Sequence, residues 1–391
     1  MNFLSEEKRA KLSEVLFYVA LTIELGIMLL DKSELYLRNF STYVFYVTFA
    51  ISLIVVLLME HDKKEWIVLG VIFAFSFICW RITRRNDILR YTVFVMAARD
   101  VDVKKTMKYV FYVMSAGFAF IALMAELKIY GNMALPLQDF GRGYEETRYT
   151  LGFGHPNDFY SCIFSIVLLW MWVYGETSTL REWIFVFLMN YEACILSQSR
   201  TGKYISLIAF FAGFLVKYAK KFRDSKIAYV LAAIVSPVLC VAFSVWAAIV
   251  SYIPRYELGH KYYNIISSID DKLTGRIHAL SHAYSKPAGA IETWKLFSDI
   301  SSDEAFDMGW VKIFYQFGII PGIVVVAIVI LLIAICYKKK DVWTLIVIMS
   351  LSIYTVVEAI FVSRFMGRLF ILPVVGAYLG EFVRKRIGDN V

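Results

Sequence analysis

The sequence predicts an all-α, polytopic integral membrane protein of about twelve transmembrane helices with a large extracytoplasmic loop. Three observations support this fold class. Of the 391 residues, 59% are hydrophobic and only 19% are charged, a balance too apolar for a soluble globular protein. Apolar runs of roughly 20 residues, the length that crosses a bilayer, recur along the chain. The alternation of apolar and polar residues expected of an outer-membrane barrel is absent.

Twelve apolar segments are candidates for membrane spans. We place them near 12–30, 40–59, 65–80, 86–98, 107–126, 157–174, 182–197, 202–218, 227–251, 308–336, 341–362 and 367–383. The segment 86–98 is short for a full span and contains Arg90. Either this helix is tilted or re-entrant, or the arginines that precede it, Arg81, Arg84 and Arg85, are held outside for a reason. We detect no internal repeat and interpret the chain as a single membrane domain over 1–391.

Basic residues predict the orientation of these spans. Cytoplasmic loops of membrane proteins retain Lys and Arg, and most basic clusters of this chain flank one side. These clusters are Lys8/Arg9/Lys11, Lys63/Lys64, Arg99/Lys104/Lys105, Lys217/Lys220/Lys221/Arg223, Lys338/Lys339/Lys340 and Arg384/Lys385/Arg386. Both chain ends then face the cytoplasm, and a first loop at 127–156 and a large loop at 252–307 face outward. Arg81, Arg84 and Arg85 would lie outside, against this bias.

Charge and cysteine content exclude several kinds of site. The net charge of +8 is explained by the cytoplasmic Lys and Arg residues, and no soluble basic surface suggests nucleic acid as a partner. All five cysteines fall inside apolar runs, so the sequence supports neither a disulfide framework nor a thiolate metal site.

The longest polar segment runs from Tyr252 to Met308 and contains three of the five histidines. Loops of this length are uncommon unless they are functional or disordered. Mixed aromatic and charged residues favour an ordered cap over a disordered segment. We expect this loop to close over a lipid-borne substrate at the outer membrane face.

The first candidate motif, GFGHPND at 152–158, precedes the sixth predicted span. Pro156 suits the first turn of a helix, whose free N–H groups and positive dipole end form an anion site. His155 could exchange a proton there, and Asn157 could support the site. The alternative is a capped helix start in which His155 is merely hydrogen-bonded.

The second motif, SQSRTGK at 197–203, joins the seventh and eighth predicted spans. Ser199 and Thr201 could cap the following helix while Arg200 offers a fork of donors suited to phosphate. Alternatively, Arg200 only extends to the membrane interface. Glu192 lies about two turns before Ser199, and both could face one cavity.

The large loop supplies the remaining polar candidates. Arg276, in the sequence TGRIH, is a further phosphate-facing arginine. His278 and His282 could share a helix face, but no third ligand with convincing spacing follows, so we expect no metal site. Asp307 could act as a general base if it is buried, or could simply cap a helix.

Ionisable residues inside predicted spans are functional candidates by default. Glu358 lies in the eleventh span and Arg364 at its outer edge. Arg364 and Arg368 would share a face if the helix continued. A Glu–Arg pair that only holds helices together is the alternative interpretation of Glu358.

Taken in order, these motifs resemble the O-antigen polymerase/ligase group. GFGHPN before a span, SQSRTG after the next, LTGR in a large loop and DMGWVKIFYQFGIIPG opening a helix carry the resemblance, which covers roughly 84–383. The chain looks most like a Wzy-type oligosaccharide repeat-unit polymerase. This resemblance implies a GT-C-like membrane fold, an active site on the outer face of the cytoplasmic membrane, and a capsule, exopolysaccharide or O-antigen product.

The resemblance also implies a mechanism. The donor would be a growing glycan on undecaprenyl pyrophosphate, and the acceptor a lipid-linked repeat unit. Arg200, Arg276 and Arg364 would hold the pyrophosphate in place of a metal cofactor, and Asp307 or His155 would be the base. Other partners implied are membrane lipid, a chain-length regulator and a flippase.

Two other functions stay open. O-antigen ligases carry a histidine near the start of the helix after the large loop, where this chain has Asp307, so the polymerase is favoured over the ligase. His278 or His282 could still fill the ligase role. A flippase or transporter for the same lipid-linked sugars would also suit about twelve spans, although such proteins usually show repeated halves and sites near the midplane.

Overall fold

A computed structural model describes residues 5–35, 38–140, 143–223, 225–253, 257, 259–282, 288–302, 304 and 306–388. The described residues are mostly helical, with one short hairpin of strands β1 (Gln138–Asp139) and β2 (Glu145–Glu146). The helices are α1 (Glu6–Lys32), α2 (Arg38–Leu58), α3 (Lys63–Thr83), α4 (Asp87–Ala97), α5 (Val103–Glu126), α6 (Pro156–Tyr174), α7 (Leu180–Ser197), α8 (Arg200–Tyr218), α9 (Lys220–Arg223), α10 (Lys226–Ala233), α11 (Cys240–Tyr252), α12 (Gly259–Lys272), α13 (Arg276–His282), α14 (Gly309–Phe317), α15 (Ile319–Lys339), α16 (Val342–Val357) and α17 (Leu372–Gly388).

Within the described residues, seven helical segments are long and apolar enough to cross a membrane. They are Glu6–Lys32, Phe40–Leu58, Lys63–Thr83, Val103–Glu126, Pro156–Tyr174, Lys226–Tyr252 and Ile319–Lys339. In Lys226–Tyr252, a π-helical stretch at Ile234–Leu239 joins α10 to α11 around Pro237, which has no N–H for a regular turn. The predicted all-α membrane class is therefore confirmed, with seven such spans where the sequence suggests about twelve.

Two predicted spans are not single helices. The segment 308–336 breaks at Gly318, whose φ of +105° is open to glycine and strained for other residues. A Cβ there would lie 2.6 Å from the Leu296 carbonyl oxygen, so the large loop approaches the break too closely for any side chain. The segment 341–362 ends as a helix at Val357, and 3-10 turns at Ile360–Val362 and Met366–Arg368 follow.

The short helix α4 has eleven residues and spans about 16 Å, roughly half the hydrocarbon thickness. Residues at its two ends nevertheless contact different parts of the chain. Before it, Arg85 donates to the Ser302 carbonyl oxygen of the large loop at 2.6 Å. After it, Arg99 pairs with Glu65 at 3.3 Å, near the start of α3. This contact joins Arg85 to the loop that the sequence predicts to face outward.

Polar contacts among the described residues gather at two ends of the helices. One end joins loops that the basic residues predict to be cytoplasmic, through the pairs Arg99–Glu65, Arg384–Asp100 and Arg9–Glu60. The other end joins segments predicted to face outward. There, Lys32 pairs with Asp158, Glu34 accepts from Asn132, and Tyr149 N–H donates to the Leu196 carbonyl oxygen.

Helix α16 is apolar all round, and most of its residues are buried, as expected of an inner helix. Its Tyr354 ring stacks on Phe164 of α6, with ring centroids 5.4 Å apart. The same face of α6 carries Tyr160, whose hydroxyl donates to the Gly202 carbonyl oxygen of α8 at 2.8 Å. The end of α16 and the starts of α6 and α8 therefore meet in one region.

Candidate functional site

Glu358 follows the last residue of α16, and its side chain is only 9% exposed. Arg276 Nη2 donates to Glu358 Oε1 at 2.5 Å, and Asn157 Nδ2 donates to the same oxygen at 3.2 Å. A buried carboxylate is stable only with such partners. Arg276 Nε also lies 3.4 Å from Asp307 Oδ2. We call Glu358, Arg276, Asn157 and Asp307 the Glu358 cluster; all four are residues that the sequence predicts for the site.

The backbone around Arg276 explains how the large loop presents this side chain. Thr274 and Gly275 adopt φ values of +62° and +76°, which turn the chain sharply between α12 and α13. The Asp270 carboxylate then accepts from the N–H groups of Ile277 and His278, at 2.7 and 3.1 Å. Because this carboxylate ties α12 to the start of α13, the position of Arg276 depends on both helices.

Asp307 does not cap the helix that follows it. Met308 is the N-cap residue of α14, and no side chain caps that helix. The Asp307 side chain is 56% exposed, so it is not the buried carboxylate that the sequence analysis requires of a general base. Its place is set by Gly309, where a Cβ would lie 2.7 Å from Thr355 Cγ2 and 2.8 Å from the Glu358 carbonyl oxygen. This close packing fixes an exposed carboxylate beside a buried one.

The start of α6 has Pro156 in its first turn, as predicted, and His155 as its N-cap, which is the alternative that the sequence left open. His155 Nδ1 accepts from the Asn157 N–H at 3.1 Å, so the neutral ring carries its proton on Nε2. Partial burial lowers the pKa of His155, against the opposing effect of nearby Asp158 and Asp307. A neutral His155 that caps the helix is a hydrogen-bond donor at Nε2, and its Nδ1 is occupied by the Asn157 N–H.

The charges around Glu358 do not favour a diphosphate at the cluster itself. Lys32 pairs with Asp158 at the start of α6, beside the Arg276 pairs with Glu358 and Asp307. Two cations thus face three carboxylates. In the described structure Arg276 is paired with carboxylates, where the sequence suggests a phosphate ligand.

Arg200 and Arg364 are the predicted phosphate ligands that the structure leaves exposed. Arg200 donates to the Tyr144 hydroxyl at 3.0 Å, and no carboxylate among the described residues pairs with it. Its neighbour Ser199 is the N-cap residue of α8 but makes no capping hydrogen bond. Arg364 lies over the rings of Phe45 and Phe365, again without a carboxylate partner in the described part of the chain.

The segment 358–371 interrupts the helices α16 and α17, so Arg364 and Arg368 do not share a helix face. Arg368 instead pairs with Asp31 of α1. A Cβ on Gly367 would lie 2.8 Å from Met28 Cβ, which places this irregular backbone against a candidate span. Irregular backbone at membrane depth is tolerated where protein buries it or where it lines a water-filled cavity.

A buried ion pair that sequence reasoning missed holds this segment. Arg90 Nη2 pairs with Glu24 Oε1 at 2.9 Å, and both side chains are almost fully buried. Arg90 Nη1 also donates to the Arg364 carbonyl oxygen at 3.2 Å, and the Tyr91 hydroxyl donates to the Ser363 carbonyl oxygen. Arg90 in a short apolar segment was the available signal, but nothing local in the sequence indicates Glu24 as its partner.

The remaining predicted residues are Glu192, His278 and His282. Glu192 is exposed on α7, and no described contact joins it to the half-buried Ser199. The His278 side chain is exposed, and the His282 side chain lies outside the described residues. Within the described chain, no three His, Cys, Asp or Glu side chains are grouped as ligands for a metal ion.

Comparisons with known proteins identify no relative. No protein-family model, curated protein or solved structure matches this chain. The chain's own structure supports an all-α membrane protein in which Arg276 bridges one buried and one exposed carboxylate at one polar end of the helices.

Proposed function

We propose that this chain is a membrane glycosyltransferase that polymerises undecaprenyl-pyrophosphate-linked oligosaccharide repeat units at the outer face of the cytoplasmic membrane. The observation that carries the proposal is the Glu358 cluster, in which exposed Asp307 and buried Glu358 flank one arginine beside the start of α6. The order of motifs that resembles Wzy-type polymerases supports it independently. The product would be a capsular polysaccharide, an exopolysaccharide or an O-antigen.

In the proposed reaction, Asp307 takes the proton of the acceptor hydroxyl as its oxygen bonds to the anomeric carbon of the donor. The bond from that carbon to the pyrophosphate oxygen breaks, and undecaprenyl pyrophosphate leaves with the electron pair. Arg276 orients Asp307, because its Nε lies 3.4 Å from Asp307 Oδ2. Glu358 holds Arg276 in place, and Asn157 donates to the same Glu358 oxygen.

Arg200 and Arg364 are the better candidates for the leaving pyrophosphate. Each is exposed, and neither forms an ion pair with a described carboxylate, so the guanidinium N–H groups of each are available to a diphosphate. Arg200 is the first residue of α8, and the Gly202 carbonyl oxygen in the same turn accepts from the Tyr160 hydroxyl of α6. Tyr160 follows Asn157 by less than one turn along α6. This assignment keeps two of the three predicted phosphate ligands and gives Arg276 a positioning role.

The experiment that tests this function is reconstitution of the purified protein with a lipid-linked repeat unit, without added metal. Wild type is expected to produce a ladder of longer glycans. Asp307→Asn should lose the ladder but still bind the lipid-linked donor, because the amide cannot accept the proton. Arg200→Ala should lose donor binding as well.

The two variants therefore control for each other in the same assay. Equal loss of ladder and donor binding in Asp307→Asn would mark Asp307 as structural. A wild-type protein that binds the donor but never extends it would remove the polymerase assignment.

The proposed orientation makes a separate prediction. We expect Glu145→Cys, in the first outer loop, to react with an impermeant maleimide on intact cells. Thr177→Cys, between α6 and α7, should react only after permeabilisation, since twelve crossings with cytoplasmic ends place it inside. All five native cysteines are buried, which keeps the background low. The reverse labelling pattern would show that the chain has the opposite orientation in the membrane. Labelling of both sites from outside would contradict the twelve crossings.

A transporter for the same lipid-linked sugars is the second candidate, and one observation favours it. The break at 358–371 and the buried Glu24–Arg90 pair lie against α1, in the manner of the interrupted helices that form transporter sites. Proteoliposomes separate the two functions. A transporter moves the fluorescent lipid-linked unit between leaflets without lengthening its glycan, whereas the polymerase lengthens it.

A further inference from the structure

Helix α12 presents an apolar stripe whose N-terminal part the rest of the described chain leaves exposed. Tyr262, Ile265, Ile266 and Ile269 follow the i, i+3, i+4, i+7 spacing of one helix face. Tyr262 is 68% exposed and Ile265 is 47% exposed, and no residue of this fully described helix is buried. Polar residues occupy the opposite face, with Asn264 near its centre.

The C-terminal end of α12 is level with the outer end of a membrane span. Ile269 and Leu273 pack against the cluster that contains Ala247 and Ala248, in the last two turns of α11. The following helix, α13, is tied to the same place, because Ser281 Oγ donates to the Ser251 carbonyl oxygen. An amphipathic helix at this level lies where the acyl chains of a bilayer meet the headgroups.

Neighbouring parts of the cap show the same character. Leu296 and Ile300 are large apolar side chains, and both are exposed. The Ile320 N–H donates to the Leu296 carbonyl oxygen at 3.1 Å, which anchors that residue at the start of the candidate span α15. Exposed apolar side chains of the cap therefore lie beside the ends of two spans, as expected for a surface that contacts lipid.

The charges of α12 favour lipid over a charged protein partner. Lys261 and Lys272 balance Asp270 and Asp271, so the helix has no net charge with His260 neutral. An uncharged amphipathic helix gains its binding free energy from the apolar face.

We infer that α12 is an interfacial helix whose Tyr262 and Ile265 insert into the outer surface of the lipid bilayer. Its contact with lipid would fix the Thr274–Gly275 turn, and with it the height of Arg276 above the membrane. This inference depends on the membrane location of the chain and goes beyond the proposed activity, so the two can fail separately.

The test uses the full-length protein in phosphatidylcholine–phosphatidylglycerol liposomes, labelled with an environment-sensitive fluorophore at one introduced cysteine. Ile265→Cys and Tyr262→Cys probe the apolar stripe, and Asn264→Cys is the matched control on the opposite face. Lipids brominated on the acyl chain are expected to quench the probe strongly at 262 and 265 and weakly at 264. Wild type taken through the same labelling reaction gives the background signal, which should be low because its five cysteines are buried.

Three results would overturn the inference. Equal, water-like emission at all three positions would show that no surface covers the stripe. A shielded probe at 265 that brominated lipid does not quench would point to a protein partner or a second copy. Equal quenching at 264 would mean that the helix is not lying on the surface. None of these readings needs substrate, so loss of glycan extension leaves them unaffected.

Discussion

Arg276→Ala is expected to abolish glycan extension and to lower the free energy of unfolding by about 3–5 kcal/mol. The guanidinium supplies the charged partner of Glu358, whose pKa burial raises to about 8, and its loss leaves that buried acid held only by Asn157. The variant should therefore show a lower melting temperature in detergent, together with no ladder in the reconstituted assay.

The double variant Arg276→Ala/Glu358→Gln separates the two effects. A neutral amide needs no cation, so most of the lost stability should return while extension stays absent, giving a large coupling between the two sites. Arg200→Ala is the matched control for stability, because loss of this exposed arginine leaves no buried carboxylate without its partner. Stability losses that simply add in the double variant would rule out the Arg276–Glu358 pair as the cause.

Gly309→Ala is expected to slow extension by about 100-fold, since a shift of about 1 Å at a catalytic group can cost that much. The added Cβ would meet Thr355 Cγ2 at 2.7 Å and the Glu358 carbonyl oxygen at 2.8 Å, and the backbone atom cannot move aside as a flexible side chain would. The start of α14 must shift, and Asp307 moves with it. The strain should also cost about 1–3 kcal/mol of stability.

Gly70→Ala is the control for this change. Gly70 lies within α3, and a Cβ there meets nothing within 4 Å, so extension should be unchanged and the helix slightly more stable. The initial rate of ladder formation at saturating donor measures both variants. A normal rate in Gly309→Ala would show that the spacing between α14 and α16 does not position Asp307.

Local patterns in the sequence were sufficient for the membrane class and for the start of α6. Hydrophobic runs and the His155–Pro156 pair act over a few residues, and the structure has them as predicted. They were insufficient at Gly318 and after Val357, where the apolar composition continues through a break in the helix. At Gly318 the large loop approaches the backbone, and that approach has no signature in the neighbouring residues.

The sequence by itself determined the class of the protein, the polar segments at its two ends and the residues able to carry chemistry, because burial periodicity and side-chain type are local properties. Only the tertiary structure decided which charges meet. Glu358 joins residues 201 and 82 positions away, and such pairs follow from helix packing alone. In that packing Arg276 pairs with Glu358 and Asp307, while Arg200 and Arg364 stay exposed. A buried acid requires a partner, whereas an exposed arginine does not.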